Sequence, residues 1–207
     1  MAIDHLGRRC GRLVITLTEL LWALIGLLLT IGGNFLNASI VGVPWSWTPQ
    51  EIPAHFLGVS YQIGAVLFVG CMGGRNAGVI SQVAYLLLGL ANFQFFAQGG
   101  GLSYLREPVF GYLLGFLPGA WVCGYWAFRS APRLEWLAGC CLSGLAVIHA
   151  VGALYLWVGY SLKLVGPSKM TFSVALSVYS GNLLPGQLAV VCAVSVLAFF
   201  MRRAMFY

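Results

Sequence analysis

The sequence is short of charge. Only 8% of its 207 residues are Asp, Glu, Lys or Arg, where an ordinary soluble domain carries roughly 25%. Acid is scarcest, with five Asp and Glu, and there are three histidines. Paired carboxylates inside an apolar run, H-E-x-x-H, G-x-S-x-G and a phosphate-binding P-loop are all missing. Those gaps argue against hydrolytic and zinc chemistry, and against direct use of ATP in the P-loop manner. The six cysteines, Cys10, Cys71, Cys123, Cys140, Cys141 and Cys192, make neither C-x-x-C nor a Cys/His ligand spacing. They read as small apolar helix residues, and neither a metal nor any other cofactor is expected. A cleavable leader is not expected either. The first apolar run exceeds the roughly 7–15 residues of a signal core, and no A-x-A-like site follows it.

What the chain has is apolar surface: 60% of residues, with a mean hydropathy of +0.88. Six runs approach the roughly 20 residues that a bilayer core demands: about Leu13–Phe35, His55–Met72, Ala77–Phe96, Val109–Phe128, Leu134–Leu162 and Gly186–Phe200. This predicts an all-α integral membrane protein of six transmembrane helices. It would be a single domain over 1–207 with a basic arm at about 1–12, multi-pass in the cell membrane with the lipid bilayer as its solvent. The net charge of +6 sits in breaks between runs, so it reads as topology control rather than nucleic-acid binding. With both termini cytoplasmic, Arg8, Arg9, Arg12, Arg75, Arg129, Arg133, Arg202 and Arg203 fall inside, and Arg106, Lys163 and Lys169 outside. That is the positive-inside pattern.

The inner turns are then short and the outer connections long. The first, about 34–53, holds Pro44, Trp45, Trp47, Pro49 and Pro53 and is long enough to cover a site. The stretch Phe93–Pro118 holds Gly99, Gly100 and Gly101, a backbone hinge, followed by Tyr104, Arg106 and Glu107. Irregular polar backbone near a bilayer survives only against protein or a wet cavity, which makes this stretch a candidate cavity wall. Outer aromatics such as Tyr104 and Tyr112 would supply apolar walls. A cation such as Arg106 or Lys163 would hold a carboxylate, and Asn182 and Gln187 an amide or urea head. A small, partly apolar acid fits this set, and an interfacial aromatic belt with ordinary surface cations fits it equally. Glu19 and His149 fall inside apolar runs. Glu19 is expected near the inner interface, paired with an arginine, and His149 as a hydrogen-bonded packing residue. A membrane-embedded enzyme would need the two to converge on one cavity.

The ordered segments GGRNAG (73–78), YLLLGLANFQFFA (85–97), GGGLSYL (99–105), EPVFGYLLGF (107–116) and PGQL (185–188) resemble the BioY family, the biotin-binding S components of energy-coupling-factor transporters. The likeness covers about 40–205. It implies a compact six-helix bundle that binds biotin near the outer leaflet beneath closing loops and has no catalytic activity. A coupling subunit and ATPases would be its partners. By resemblance, Tyr104, Tyr112, Asn182 and Gln187 would line the site. Gly99, Gly100 and Gly101 would let the loop approach the ligand, and Arg106 or Lys163 would hold the valerate carboxylate. Many members carry an Asp and a Lys three residues apart where this chain has Gln187 and Val190, so another small vitamin or precursor acid is the alternative ligand. The small residues four apart that often mark the family's first helix are also altered: Leu27 follows Ala23 and Thr30 follows Gly26.

Overall fold

A computed structural model of the chain describes residues 16–41, 54–96, 99–162 and 171–206. Helix α1 (Leu17–Phe35) starts at a capping box, in which the Thr16 hydroxyl accepts from the Glu19 N–H and the Glu19 carboxylate accepts from the Thr16 N–H. Its buried residues are Ala23, Gly26, Thr30 and Gly33, spaced at three and four so that one narrow stripe faces the protein. Leu17, Leu20, Leu21, Leu24 and Leu28 point outward, as a lipid-facing surface does. The small residues of α1 therefore serve packing within the chain: Gly26 meets Val69 and Ser81, and Gly33 meets the backbone of Gln62.

After α1 the chain forms an antiparallel hairpin, β1 (Asn37–Val41) with β2 (Ala54–Ser60), pairing Asn37 with Ser60 and Ser39 with Phe56. The chain is otherwise mostly helical, as expected, and the hairpin corrects the helix expected from His55. Gly58 has φ of +70°, which a helix cannot hold, and the strand's amides are taken by β1. The intervening prolines and tryptophans, 44–53, lie outside the described residues.

Helix α2 (Gln62–Leu90) is interrupted at Gly74, with φ 80° and ψ −177°. There the chain doubles back. Gln62 Nε2 donates to the Tyr85 hydroxyl at 2.8 Å, across an interval that a straight helix would stretch to roughly 34 Å. Gly74 can take this conformation because it lacks a Cβ. The turn expected at Gly73–Asn76 is thus present, with helical arms 62–73 and 75–90.

Helices α3 (Phe110–Ala127) and α4 (Leu134–Ser161) run antiparallel through glycine contacts. Gly111 lies against Tyr155, Gly115 against the backbone of Ile148, and Gly119 against Ile148 and Gly144. Small residues let membrane helices approach to backbone distance. A Cβ at Gly115 would stand 2.8 Å from the Ile148 carbonyl oxygen, and backbone cannot rotate away. Gly115→Ala should therefore destabilise the fold by about 1–3 kcal/mol, read as a lowered thermal midpoint in detergent. An unchanged midpoint would show that α3 and α4 sit further apart.

The chain ends in α5 (Phe172–Leu176), a π turn (Ser177–Gly181) and α6 (Leu184–Phe206). Much of what reads as a polar connection before Gly186 is therefore helical, and the last helix passes well beyond Phe200. Among the described residues, four helical segments are long and apolar enough to cross a membrane: α1, the folded-back α2, α4 and Phe172–Met205. Within the core, the thiols of Cys71, Cys123 and Cys141 meet, with Cys71 Sγ 3.5 Å from each of the others. They lie 52 and 70 residues apart in sequence, so no local spacing announces the grouping.

Candidate functional site

The two ends of the bundle differ. At one end, Arg75 and Arg129 border a cavity of about 580 Å³ together with Glu19 and Asn76. Glu19 accepts from Asn76 Nδ2 at 2.8 Å and from Thr16. Among the described residues no arginine is hydrogen-bonded to it, though Arg75 acts on it electrostatically, and the basic arm with Arg8, Arg9 and Arg12 lies outside the described residues. Arg202 is buried nearby and donates to the Ala127 carbonyl at 2.7 Å.

At the other end lies a cavity of about 260 Å³. One wall is the β hairpin, through Asn37, Val59 and Ser60. The opposite wall is the start of α3, through Val109, Leu113 and Phe116. Its polar end is made by Tyr112 from α3, Tyr179 from the π turn and Gln187 from α6. A small apolar pocket with a few convergent polar groups is what a compact organic ligand needs.

The polar end is a connected network. Gln187, only 4% exposed, places Oε1 2.6 Å from His149 Nε2. His149 Nδ1 lies 3.1 Å from Ser180 Oγ, and Ser180 Oγ lies 2.7 Å from the Tyr112 hydroxyl. The Tyr112 ring stands edge-on to His149 at 5.7 Å and tilted against Tyr179 at 6.2 Å. The π turn carries Tyr179 and Ser180 into this assembly. A widened helical turn of that kind often marks a functional position. His149 is hydrogen-bonded, as the sequence implied, but its partners belong to the site. Glu19 borders the other cavity, so the two side chains that an enzyme would need do not converge.

The glycine-rich segment takes a different part. Gly99 and Gly101 hold φ of 110° and 93°. The Gly101 N–H donates to the Gly89 carbonyl at 2.9 Å, and Phe96 and Gly99 exchange backbone bonds. The Phe95 carbonyl accepts from Asn34 Nδ2 and from the Tyr85 hydroxyl. The irregular backbone is thus satisfied by protein, and Gly99, Gly100 and Gly101 fold onto the end of α2, outside the cavity lining.

Tyr104 sits in the 3-10 turn Leu102–Arg106, packed against Phe96 at 4.6 Å and Phe110 at 6.3 Å. It is 3% exposed, and among the described residues its hydroxyl has no hydrogen-bond partner. Burial pushes its phenol up to about 12, with Glu107 and Tyr179 adding to the shift, so it remains a donor at neutral pH.

Of the other predicted residues, Asn182 is exposed and uses its backbone N–H on the Ser177 carbonyl. Arg106 and Glu107 are both exposed, and among the described residues no ion pair joins them. Lys163 lies outside the described residues. Val190 is buried and packs onto Gly64 of α2, so it stands away from the cavity. Of the residues expected at the site, Tyr112 and Gln187 border this cavity, while Ser180, the hairpin wall and the hydrogen bonds of His149 to Ser180 and Gln187 were not expected from the sequence. The signal for His149 was its isolation: a lone polar group in an apolar helix has to find partners.

The family model described as the BioY family matches residues 12–206. A protein of Lysinibacillus sphaericus named "Probable biotin transporter BioY" is 39% identical over 116 residues, 55% of this chain and 59% of the relative. This chain thus spans less than two thirds of that relative's length. The "Biotin transporter BioY" of Thermotoga maritima is 31% identical over 125 residues, 60% of this chain and 70% of the relative. Among solved structures, the crystal structure of the S-component for biotin from an ECF-type ABC transporter superposes with a TM-score of 0.65 at 18% identity. It covers 89% of this chain and 90% of that one, a likeness of fold.

Proposed function

This chain belongs to the BioY family, and from that premise we propose that it is the biotin-binding subunit of an energy-coupling-factor importer. It captures biotin at the outer face and catalyses no reaction itself. A coupling subunit and separate ATPases drive release to the inside. The observation that carries the reading is the small cavity at the end opposite Arg75 and Arg129, with apolar walls and an amide–phenol polar end. Apolar walls suit the thiophane ring and aliphatic chain of biotin. Gln187 and Tyr112 suit its ureido head. The valerate carboxylate is assigned to Arg106 or Lys163, and Arg106 is exposed and not paired with Glu107. Tyr104 offers a buried hydroxyl to a ligand that enters from the glycine-rich side.

The topology proposed with this function has six crossings: α1, the two arms of α2, α3, α4 and α6. Both termini are cytoplasmic. Support comes from the basic residues Arg75, Arg129, Arg133, Arg202 and Arg203, which lie at inner turns and helix ends. Modification of a cysteine introduced at Arg203 by an impermeant maleimide in intact cells would overturn that placement.

The test is calorimetry of the purified protein with biotin in detergent, alongside mass spectrometry for co-purified ligand. Saturable binding of one biotin per chain is expected. The presence of Gln187 and Val190 where many members carry Asp and Lys favours, as a second reading, a different small acid with a cyclic amide or urea head. Displacement of labelled biotin by desthiobiotin but not by unrelated vitamins supports biotin; displacement by an unrelated vitamin supports the second reading.

A further inference from the structure

The hydrogen-bond chain at the polar end of the outer cavity has a direction. Gln187 presents its amide oxygen, not its NH2, to His149 Nε2 at 2.6 Å. An amide oxygen can only accept, so this orientation of the amide requires the His149 proton on Nε2. Nδ1 is then a bare lone pair, and Ser180 Oγ at 3.1 Å has to donate to it. Ser180 has a single hydrogen, so the 2.7 Å bond to Tyr112 is donated by Tyr112. Each proton in the chain is then committed. What remains is the Gln187 NH2, with no partner among the described residues, and the lone pairs of the Tyr112 hydroxyl oxygen. Both residues border the same cavity. Turning the Gln187 amide over would move the His149 proton to Nδ1 and reverse every donor along the chain, so the amide orientation and the imidazole tautomer are set together.

We propose that His149 is the positioning residue that sets the polarity of this site. It makes Gln187 a pure donor and Tyr112 a pure acceptor. A ligand edge that matches this pair carries a carbonyl acceptor next to an N–H donor, as a cyclic urea does. The assignment rests on the biotin reading and specifies which edge of the ligand the polar end accepts.

The experiment compares biotin with 2-iminobiotin, whose cyclic guanidine puts an N–H donor in place of the carbonyl acceptor. Affinities are measured for the wild-type protein and for His149→Phe, Ser180→Ala and Gln187→Glu. The wild-type protein should prefer biotin by about tenfold or more, the value of one buried hydrogen bond. Ser180→Ala frees the imidazole tautomer, and His149→Phe frees the amide. Both should shrink the preference toward unity even where total affinity falls little. Gln187→Glu keeps an oxygen toward His149 but presents an acceptor to the ligand, so it should invert the preference. If His149→Phe and Ser180→Ala lower both affinities in parallel and leave the ratio unchanged, His149 only packs, and the assignment is overturned. A wild-type preference that survives Gln187→Glu overturns the amide polarity. Failure of the wild-type protein to bind biotin at all is a different result, since it removes the biotin reading on which the assignment stands. Ser180→Ala and Gln187→Glu both retain the imidazole, so the outcome does not hang on the folding of His149→Phe.

Discussion

Gln187→Leu should weaken biotin binding by about 5–150-fold, equivalent to about 1–3 kcal/mol, and should also lower the stability of the unliganded protein. The two effects have separate causes. Leucine is an apolar residue of similar size, so the apolar packing of α6 is largely kept. The change removes the N–H donors that face the cavity, which costs affinity. It also removes the oxygen that accepts from His149 Nε2 at 2.6 Å. That leaves a ring N–H without its partner in a partly buried position, and the penalty is present with or without ligand. Calorimetry reads the first effect, and thermal unfolding without biotin reads the second. A fall in stability with unchanged affinity would mean that Gln187 serves only His149, and would take it out of the binding site.

The sequence made the helices legible because their apolar runs match the thickness of a bilayer. Even the reversal at Gly74 could be read, from two glycines flanked by Arg75 and Asn76. The β hairpin could not. His55–Ser60 is apolar enough to extend the helix that follows, and only pairing with Asn37–Val41 decides between strand and helix. Such pairing is non-local and leaves little mark on either segment alone. The same reason hid the far side of the site. Tyr112 and Gln187, which border the cavity, could be singled out because each stands in a recognisable segment near a helix end. Ser180 and His149 join them across intervals of 68 and 38 residues, and nothing near either residue in sequence predicts the other. The π turn adds to this. By widening one turn it carries Tyr179 and Ser180 into the assembly, in a segment whose composition reads as a polar connection. The glycine triplet taught the opposite lesson. Its composition suggested a loop built to approach a ligand. In the structure Gly100 folds tightly onto Gly89 and Phe93, and Gly99 and Gly101 hold positive φ.

Tyr104→Phe should move stability and affinity in opposite directions. The Tyr104 hydroxyl is buried and, among the described residues, unpartnered, and such a group costs about 1–3 kcal/mol relative to a satisfied one. Phenylalanine keeps the ring against Phe96 and Phe110 and discards the orphan, so the unliganded variant should unfold at a higher temperature than wild type. A native fold seldom retains a buried unpaired hydroxyl without a reason. The reason offered is a ligand atom that completes the bond. Tyr179, which borders the outer cavity, acts electrostatically on Tyr104, and Glu107 disfavours its ionisation, so it stays a donor. Biotin affinity should then fall by about 5–150-fold in the same variant, and the extra thermal stability conferred by saturating biotin should shrink. A variant that is more stable and binds biotin as wild type does would leave Tyr104 as a packing residue with a strained hydroxyl. A variant that is less stable would show that the hydroxyl has a partner in the free protein.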